Sequence, residues 1–185
     1  MRNLFLIGLT VVAAWPAQAQ EAEVAGLTGA LRGCEEWVLN PASWMDGPAP
    51  FKAAVGLGDR MDLVAQIDPA SLPPPALRQA NHYWRINSTP TTGYVLVVSD
   101  QLPICHISGG GDVDFQPIVE AVLSTSDFSS RWEQISVEDR DELRSTVFRS
   151  RVDPKFSATV TRAQSEGARR DRAQVLVTAI REFEN

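Results

Sequence analysis

Two cysteines, Cys34 and Cys105, constrain this chain more than any other feature. They stand 71 positions apart, and neither belongs to the C-x-x-C spacing of redox enzymes and zinc knuckles. In an oxidising compartment, an even number of cysteines predicts one disulfide. In the cytosol, the same two residues would be buried free thiols that pack as small apolar side chains. The N-terminal sequence bears on which case applies.

The N-terminus has the three parts of a secretory signal peptide. Arg2 gives a positive start, an apolar run extends over residues 4–15, and Ala17-Gln18-Ala19 supplies the small-x-small pattern before a cut. A helix of about twelve residues is too short to span a hydrocarbon core of ~30 Å. We therefore predict cleavage between Ala19 and Gln20, a periplasmic or secreted location, and a soluble mature protein without a transmembrane anchor. This compartment favours the disulfide.

The composition is that of a folded, acidic protein. Hydrophobic residues make up 44% of the chain and the formal net charge is -6, which argues against intrinsic disorder. Nucleic-acid binding requires a dense Lys/Arg surface to neutralise phosphates. The densest basic cluster, Arg169, Arg170 and Arg172, is interrupted by Asp171 and is interpreted as a solvated hairpin tip. We expect no nucleic-acid partner.

Residues 20–185 are interpreted as a single domain. Apolar residues at steps of three and four predict a helix from Ala22 to Leu39, with Cys34 on its core-facing side. Three glycines weaken the first half of this helix, which we expect to fray or be absent. The same spacing predicts a helix over residues 114–124. The proline-rich stretch 46–76 predicts an extended covering segment, stiffened by polyproline II around Pro73.

Seven segments have β character, from enrichment in β-branched and aromatic residues or from alternating polarity. The element order α-β-β-β-α-β-β-β-β predicts an α+β fold, an antiparallel sheet with the N-terminal helix and one central helix packed on one face. The continuously apolar run 94–98 predicts a central strand covered on both faces. The predicted strands are His82–Asn87, Tyr94–Ser99, Ile104–Ile107, Arg131–Ile135, Leu143–Arg151, Phe156–Ala163 and Gln174–Glu182.

Candidate ligand-binding residues cluster around the first predicted hairpin and the third strand: Trp84, Arg85, His106 and Gly110. A glycine-rich run, Ser108 to Gly111, follows His106 and is interpreted as a flexible turn with an acidic helix cap. A phosphate site is disfavoured because the run lacks the Lys-Ser/Thr ending of a P-loop. His106 is a weak candidate for a general base, and a structural role is favoured for it. We predict no metal and no cofactor.

The chain is also rich in large aromatic residues. We interpret them as core-filling side chains, with a sugar or peptide groove as the alternative. This aromatic set is Trp37, Trp44, Tyr83, Trp84 and Trp132.

The chain resembles a class of proteins through three stretches of sequence, residues 33–37, 83–87 and 103–111. They read Gly-Cys-Glu-Glu-Trp, Tyr-Trp-Arg-Ile-Asn and Pro-Ile-Cys-His-Ile-Ser-Gly-Gly-Gly. With these features the chain resembles small uncharacterised exported proteins of Gram-negative bacteria, which combine a helix cysteine, a strand cysteine and a late β-rich half. The resemblance implies export and a general fold, and it implies no activity, cofactor or catalytic residue.

Three hypotheses of function follow. The first is a non-catalytic binding or accessory protein of the cell envelope, whose partner is an envelope protein or a wall component. The second is an envelope hydrolase or transferase that uses His106 near a Gly109–Gly111 loop. The third is an inhibitor of a wall-degrading enzyme, for which an acidic protein is suited because many such enzymes are basic. Because the sequence contains no catalytic signature, we favour a protein that is not an enzyme.

Overall fold

An eight-stranded antiparallel sheet forms the framework of the protein. The computed structural model describes residues 15–165 and 173–182, with side chains from residue 18 onward. The strands are β1 (Met61–Val64), β2 (Asn81–Asn87), β3 (Thr92–Ser99), β4 (Ile104–Gly111), β5 (Trp132–Arg140), β6 (Leu143–Ser150), β7 (Phe156–Ala163) and β8 (Val175–Arg181). The α-helices are α1 (Trp15–Leu39), α2 (Ala42–Met45), α3 (Pro48–Val55), α4 (Gln116–Leu123) and α5 (Ser126–Arg131).

The sheet consists of two four-stranded meanders joined at its centre. The strand order is β1-β2-β3-β4-β8-β7-β6-β5, and every neighbouring pair is antiparallel. Each meander is preceded in the chain by helices, so the two halves share the same succession of elements. The last strands of the two halves, β4 and β8, pair with each other and form a central seam. The predicted α+β fold with an antiparallel sheet is therefore confirmed.

Helix α1 packs against the centre of the sheet on what we call the helix face. The helix is formed along its full length, so the expectation that its first half frays is wrong. The glycines explain why: a Cβ added at Gly29 would lie 2.6 Å from the side chain of Leu57, and one added at Gly33 would lie 2.9 Å from Leu96. Their small size permits close packing, which outweighs their low helix propensity.

The disulfide between Cys34 and Cys105 is confirmed. It joins α1 to β4, the seam strand, with the two Cα atoms 5.5 Å apart and both residues buried. Cys105 points to the helix face and His106 to the opposite face, as the alternation of a β-strand requires. The bond therefore fastens the longest helix to the middle of the sheet.

Four predicted features require correction. The order has further elements: α2, α3 and β1 come before the first predicted strand, and α5 lies between the central helix and β5. Because α3 and β1 fold within residues 46–76, that stretch is not one extended segment. Helix α1 begins at Trp15 rather than Ala22. The run Ser108–Gly111 is the second half of β4 and not a flexible turn, since Gly109 leaves room for the ring of Tyr94 on the neighbouring strand.

Two predictions fall outside the described residues. They are the positive and apolar parts of the signal peptide, up to residue 14, and the arginine-rich hairpin tip at 169–172.

Candidate functional site

The second face of the sheet, which we call the strap face, is crossed by the proline-rich residues 68–78. We name this segment the strap. It contains two short 3-10 turns, Pro69–Ser71 and Pro75–Leu77, with extended backbone at Leu72 and Pro74 between them. Arg78 Nε donates a 2.7 Å hydrogen bond to the carbonyl of Pro73 and fixes the second turn. Strap residues line cavities together with Val95 of β3 and with His106 and Ser108 of β4, so the strap lies over this part of the sheet.

Two cavities lie between the strap and the sheet. The larger has a volume of about 570 Å³ and is lined by Ala70 of the strap, Arg85 of β2, and Ser108 and Gly110 of β4. The smaller, about 360 Å³, is lined by Ala70, Pro73 and Arg78 of the strap and by His106. Its floor also carries three threonine hydroxyls, from Thr159, Thr161 and Thr178. Ala70 lines both cavities, so the two cavities are adjacent.

His106 is the central polar residue of the smaller cavity. Its side chain is 3% exposed, and its Nδ1 lies 2.9 Å from the hydroxyl of Thr178 on the adjacent strand. Burial lowers the pKa of His106 from 6.5 to about 4, so the imidazole is neutral at pH 7. Its Nε2 is buried and has no hydrogen-bond partner among the described residues. Because Nδ1 is hydrogen-bonded to Thr178, the neutral imidazole can form one further hydrogen bond, through Nε2.

Ser108 follows two residues later on the same face of β4. It is also 3% exposed, and its Oγ has no hydrogen-bond partner among the described residues. Ser108 pairs with Val95 of β3, which in turn pairs with Arg85 of β2. Arg85 therefore stands on the same face, two strands away, where its exposed guanidinium lies at the mouth of the larger cavity. Buried polar groups without partners are rare in folded proteins, so His106 Nε2 and Ser108 Oγ are candidate ligand contacts.

The sequence-predicted binding residues do not all meet in one place. Arg85 and Gly110 line the larger cavity, and His106 lines its smaller neighbour. Trp84 lies on the opposite face of the sheet, buried against Phe51 with ring centroids 5.0 Å apart. Adjacent residues of a strand point to opposite faces, so Trp84 and Arg85 cannot share a pocket.

A buried acid that sequence reasoning missed lies where α1 meets the β2–β3 hairpin. Glu23 is 1% exposed, and burial raises its pKa, an effect that the hydroxyls of Ser88 and Thr89 partly oppose. Neither carboxyl oxygen has a hydrogen bond of normal geometry among the described residues. The backbone carbonyl of Glu23 accepts a 3.0 Å hydrogen bond from Tyr94. No sequence pattern marked this residue, because its burial depends on the fold of the hairpin.

Two kinds of feature are absent from the described residues. No helix in 15–165 or 173–182 is both long and apolar enough to cross a membrane. The same residues contain no group of three or more His, Cys, Asp or Glu side chains placed to hold a metal ion.

Comparison of the chain with protein-family models, with curated proteins and with solved structures returns no match.

Proposed function

We propose that this protein is an exported, non-catalytic binding or accessory protein of the bacterial cell envelope. The signal-like N-terminus and the Cys34–Cys105 disulfide support a periplasmic or secreted location. The predicted cleavage after Ala19 is compatible with the packing of α1. Glu23, the first buried residue of the helix among those with described side chains, lies beyond that site and stays in the mature chain.

The binding role rests on one observation: His106 and Ser108 are buried two residues apart on the same face of β4, and each has an unpartnered polar atom and lines one of the two adjacent cavities. A small polar ligand that offers hydrogen bonds to His106 Nε2 and Ser108 Oγ would satisfy both groups. The larger cavity falls in the size range of small-molecule sites, about 300–1,000 Å³. We therefore place the ligand between strap and sheet.

The hydrolase hypothesis ranks second. It depended on a flexible loop next to His106, and that run is the paired end of β4. A histidine whose pKa is about 4 is a weak base, whereas general bases work best with a pKa near the operating pH. The inhibitor hypothesis keeps the acidic net charge as its support.

The ligand site is tested by thermal shift of the mature protein against a panel of small polar envelope components, including amino acids, sugars and muropeptides. We expect at least one to raise the melting temperature, since a ligand that binds only the folded state stabilises it. Ser108→Ala should abolish the shift without lowering the melting temperature of the free protein, because the lost hydroxyl has no partner. Ser157→Ala, on the strap face but outside both cavity linings, is the matched control.

An equal shift in Ser108→Ala and the wild type would move the site elsewhere. Turnover of an envelope substrate that disappears in a folded His106 variant would replace the binding role with the hydrolase. Export is tested separately by fractionation and intact mass, with Gln20 expected as the first residue and no free thiol. A full-length chain in the cytosol would refute the location.

A further inference from the structure

Another cavity, on the helix face of the sheet, is walled by tryptophans. It has a volume of about 250 Å³ and is lined by Trp37 of α1, Trp44 of α2 and Trp84 of β2. Trp37 and Trp44 stack with centroids 4.4 Å apart and planes within 5°. Two exposed apolar side chains at the mouth, Met45 at 74% and Leu63 at 47% exposure, complete the wall. The cavity is therefore apolar, flat-sided and reachable from solvent.

The three indole N–H groups of this cavity differ in what they bind. Trp37 Nε1 donates to the carbonyl of Ser99, and Trp44 Nε1 donates to the carbonyl of Trp37, each at 3.0 Å. Trp84 is 1% exposed, and its Nε1 has no partner among the described residues. A buried indole N–H normally finds an acceptor. Within this cavity lining, Trp84 thus supplies one hydrogen-bond donor that the protein itself does not use.

The ionisable groups of the cavity, His82 and Asp100, form a pair at its rim. His82 Nε2 lies 2.7 Å from Asp100 Oδ2, and both side chains are over one third exposed. The His82 ring is also 5.4 Å from the ring of Trp37. Neither lysine nor arginine lines this cavity, so nothing there compensates the charge of an anion. The lining suits a neutral ligand that both donates and accepts hydrogen bonds at its edge.

We propose that this tryptophan cavity binds a single sugar ring, such as the terminal residue of an envelope glycan. A pyranose has apolar C–H faces to lie against indole rings, ring and hydroxyl oxygens to accept from Trp84, and hydroxyl protons to donate to Asp100. The volume is slightly below the usual range for drug-sized ligands and fits one ring. The site is on the opposite face from the His106–Ser108 cavities, so it stands or falls independently of the function proposed above.

Titration of intrinsic fluorescence tests the proposal, because a ligand in the cavity changes the surroundings of Trp37 and Trp44. The probes are methyl β-glucoside and methyl N-acetyl-β-glucosaminide, with tetramethylammonium and cyclohexanol, neither of which fluoresces, as non-sugar controls. We expect saturable binding of a glycoside by the mature, oxidised protein. Trp84→Phe should raise its Kd about 5- to 10-fold, the effect of losing one hydrogen bond. Tyr83→Phe, at the preceding residue of the same strand, is the control and should leave Kd unchanged.

Three results would overturn the proposal: no glycoside binding at tens of millimolar, equal Kd for Trp84→Phe and the wild type, or saturation by tetramethylammonium or cyclohexanol but not by a glycoside. If Trp84→Phe lowers the melting temperature, Asp100→Asn at the exposed rim provides the second variant. It keeps a polar side chain next to His82, removes the charge, and should weaken glycoside binding several-fold. Unchanged binding in that variant would equally contradict the sugar assignment.

Discussion

Replacing His106 by Asn should make the protein less sensitive to acid. Asn carries a polar atom near the position of the imidazole Nδ1, so it can keep the hydrogen bond to Thr178, and it does not titrate. In the wild type, the folded pKa of His106 is about 4 against 6.5 for an exposed histidine. The depressed value means that the unfolded chain takes up the proton first as the pH falls. Stability from the neutral imidazole is thus present above pH 6.5 and lost towards pH 4.

The size of this loss follows from the two pKa values. A difference of about 2.5 pKa units, at 1.36 kcal/mol per unit, gives a limit near 3.4 kcal/mol, of which about 2 kcal/mol is lost by pH 5 and about 3 kcal/mol by pH 4. The side chain is 3% exposed, so solvent screening removes little of this effect. Other groups that titrate in this range, such as Glu23 with its raised pKa, are present in both proteins and cancel in the difference.

The measurement is urea unfolding followed by tryptophan fluorescence at pH 7.5, 6, 5 and 4 for the wild type and the variant. We expect the difference in unfolding free energy to shift in favour of the variant by about 3 kcal/mol across this range. Parallel pH profiles, within about 0.5 kcal/mol, would mean that the imidazole is hydrated or protonated in the folded protein. In that case the strap does not exclude water from His106, and Nε2 has a hydrogen-bond partner.

Three further predictions concern stability and are read from denaturant midpoints. The double variant Cys34→Ala/Cys105→Ala should lose up to about 4.4 kcal/mol, the chain-entropy value for a closed loop of this length, and an unchanged midpoint would mean that the bond does not form. Gly29→Ala should destabilise by about 1–3 kcal/mol although alanine favours helices, and a stabilised variant would show that α1 lies farther from its neighbours. Arg162 is 5% exposed and pairs with Glu120, whose side chain is 45% exposed, so Glu120→Ala should cost about 1–3 kcal/mol because the buried guanidinium loses its partner, whereas an unchanged midpoint would mean that Arg162 does not depend on Glu120.

Local sequence patterns predicted the elements that are determined by their own periodicity. The spacing of apolar residues predicted a helix over 114–124, which the structure forms over Gln116–Leu123. Strand β7 occupies Phe156–Ala163, as its alternating pattern predicted. The disulfide was predicted from the signal-like N-terminus, which indicates an oxidising compartment, and from the even number of cysteines. In these cases each segment's preference agrees with the fold around it.

The candidate site was predicted only in part, because it depends on contacts between distant segments. The strap covers His106 from more than 25 positions away in the sequence, and no local pattern encodes that crossing. Ser108 was overlooked because glycine-rich runs usually indicate turns, whereas here the ring of Tyr94 fills the space above Gly109. The separation of Trp84 from Arg85 was available from the sequence, since the two are neighbours in a predicted strand.

The two meanders meet at β4 and β8, and the disulfide constrains only one of them. The disulfide closes a loop that contains all of β1, β2 and β3 and ends on β4, while β5 lies at the far edge of the sheet with eight of its nine residues exposed. Backbone amides should therefore exchange with deuterated solvent in a gradient, slowest at the seam and fastest in β5. Local unfolding can start at β5 and proceed inward without straining the Cys34–Cys105 disulfide. Reduction of the disulfide should therefore destabilise the first half of the chain far more than the second.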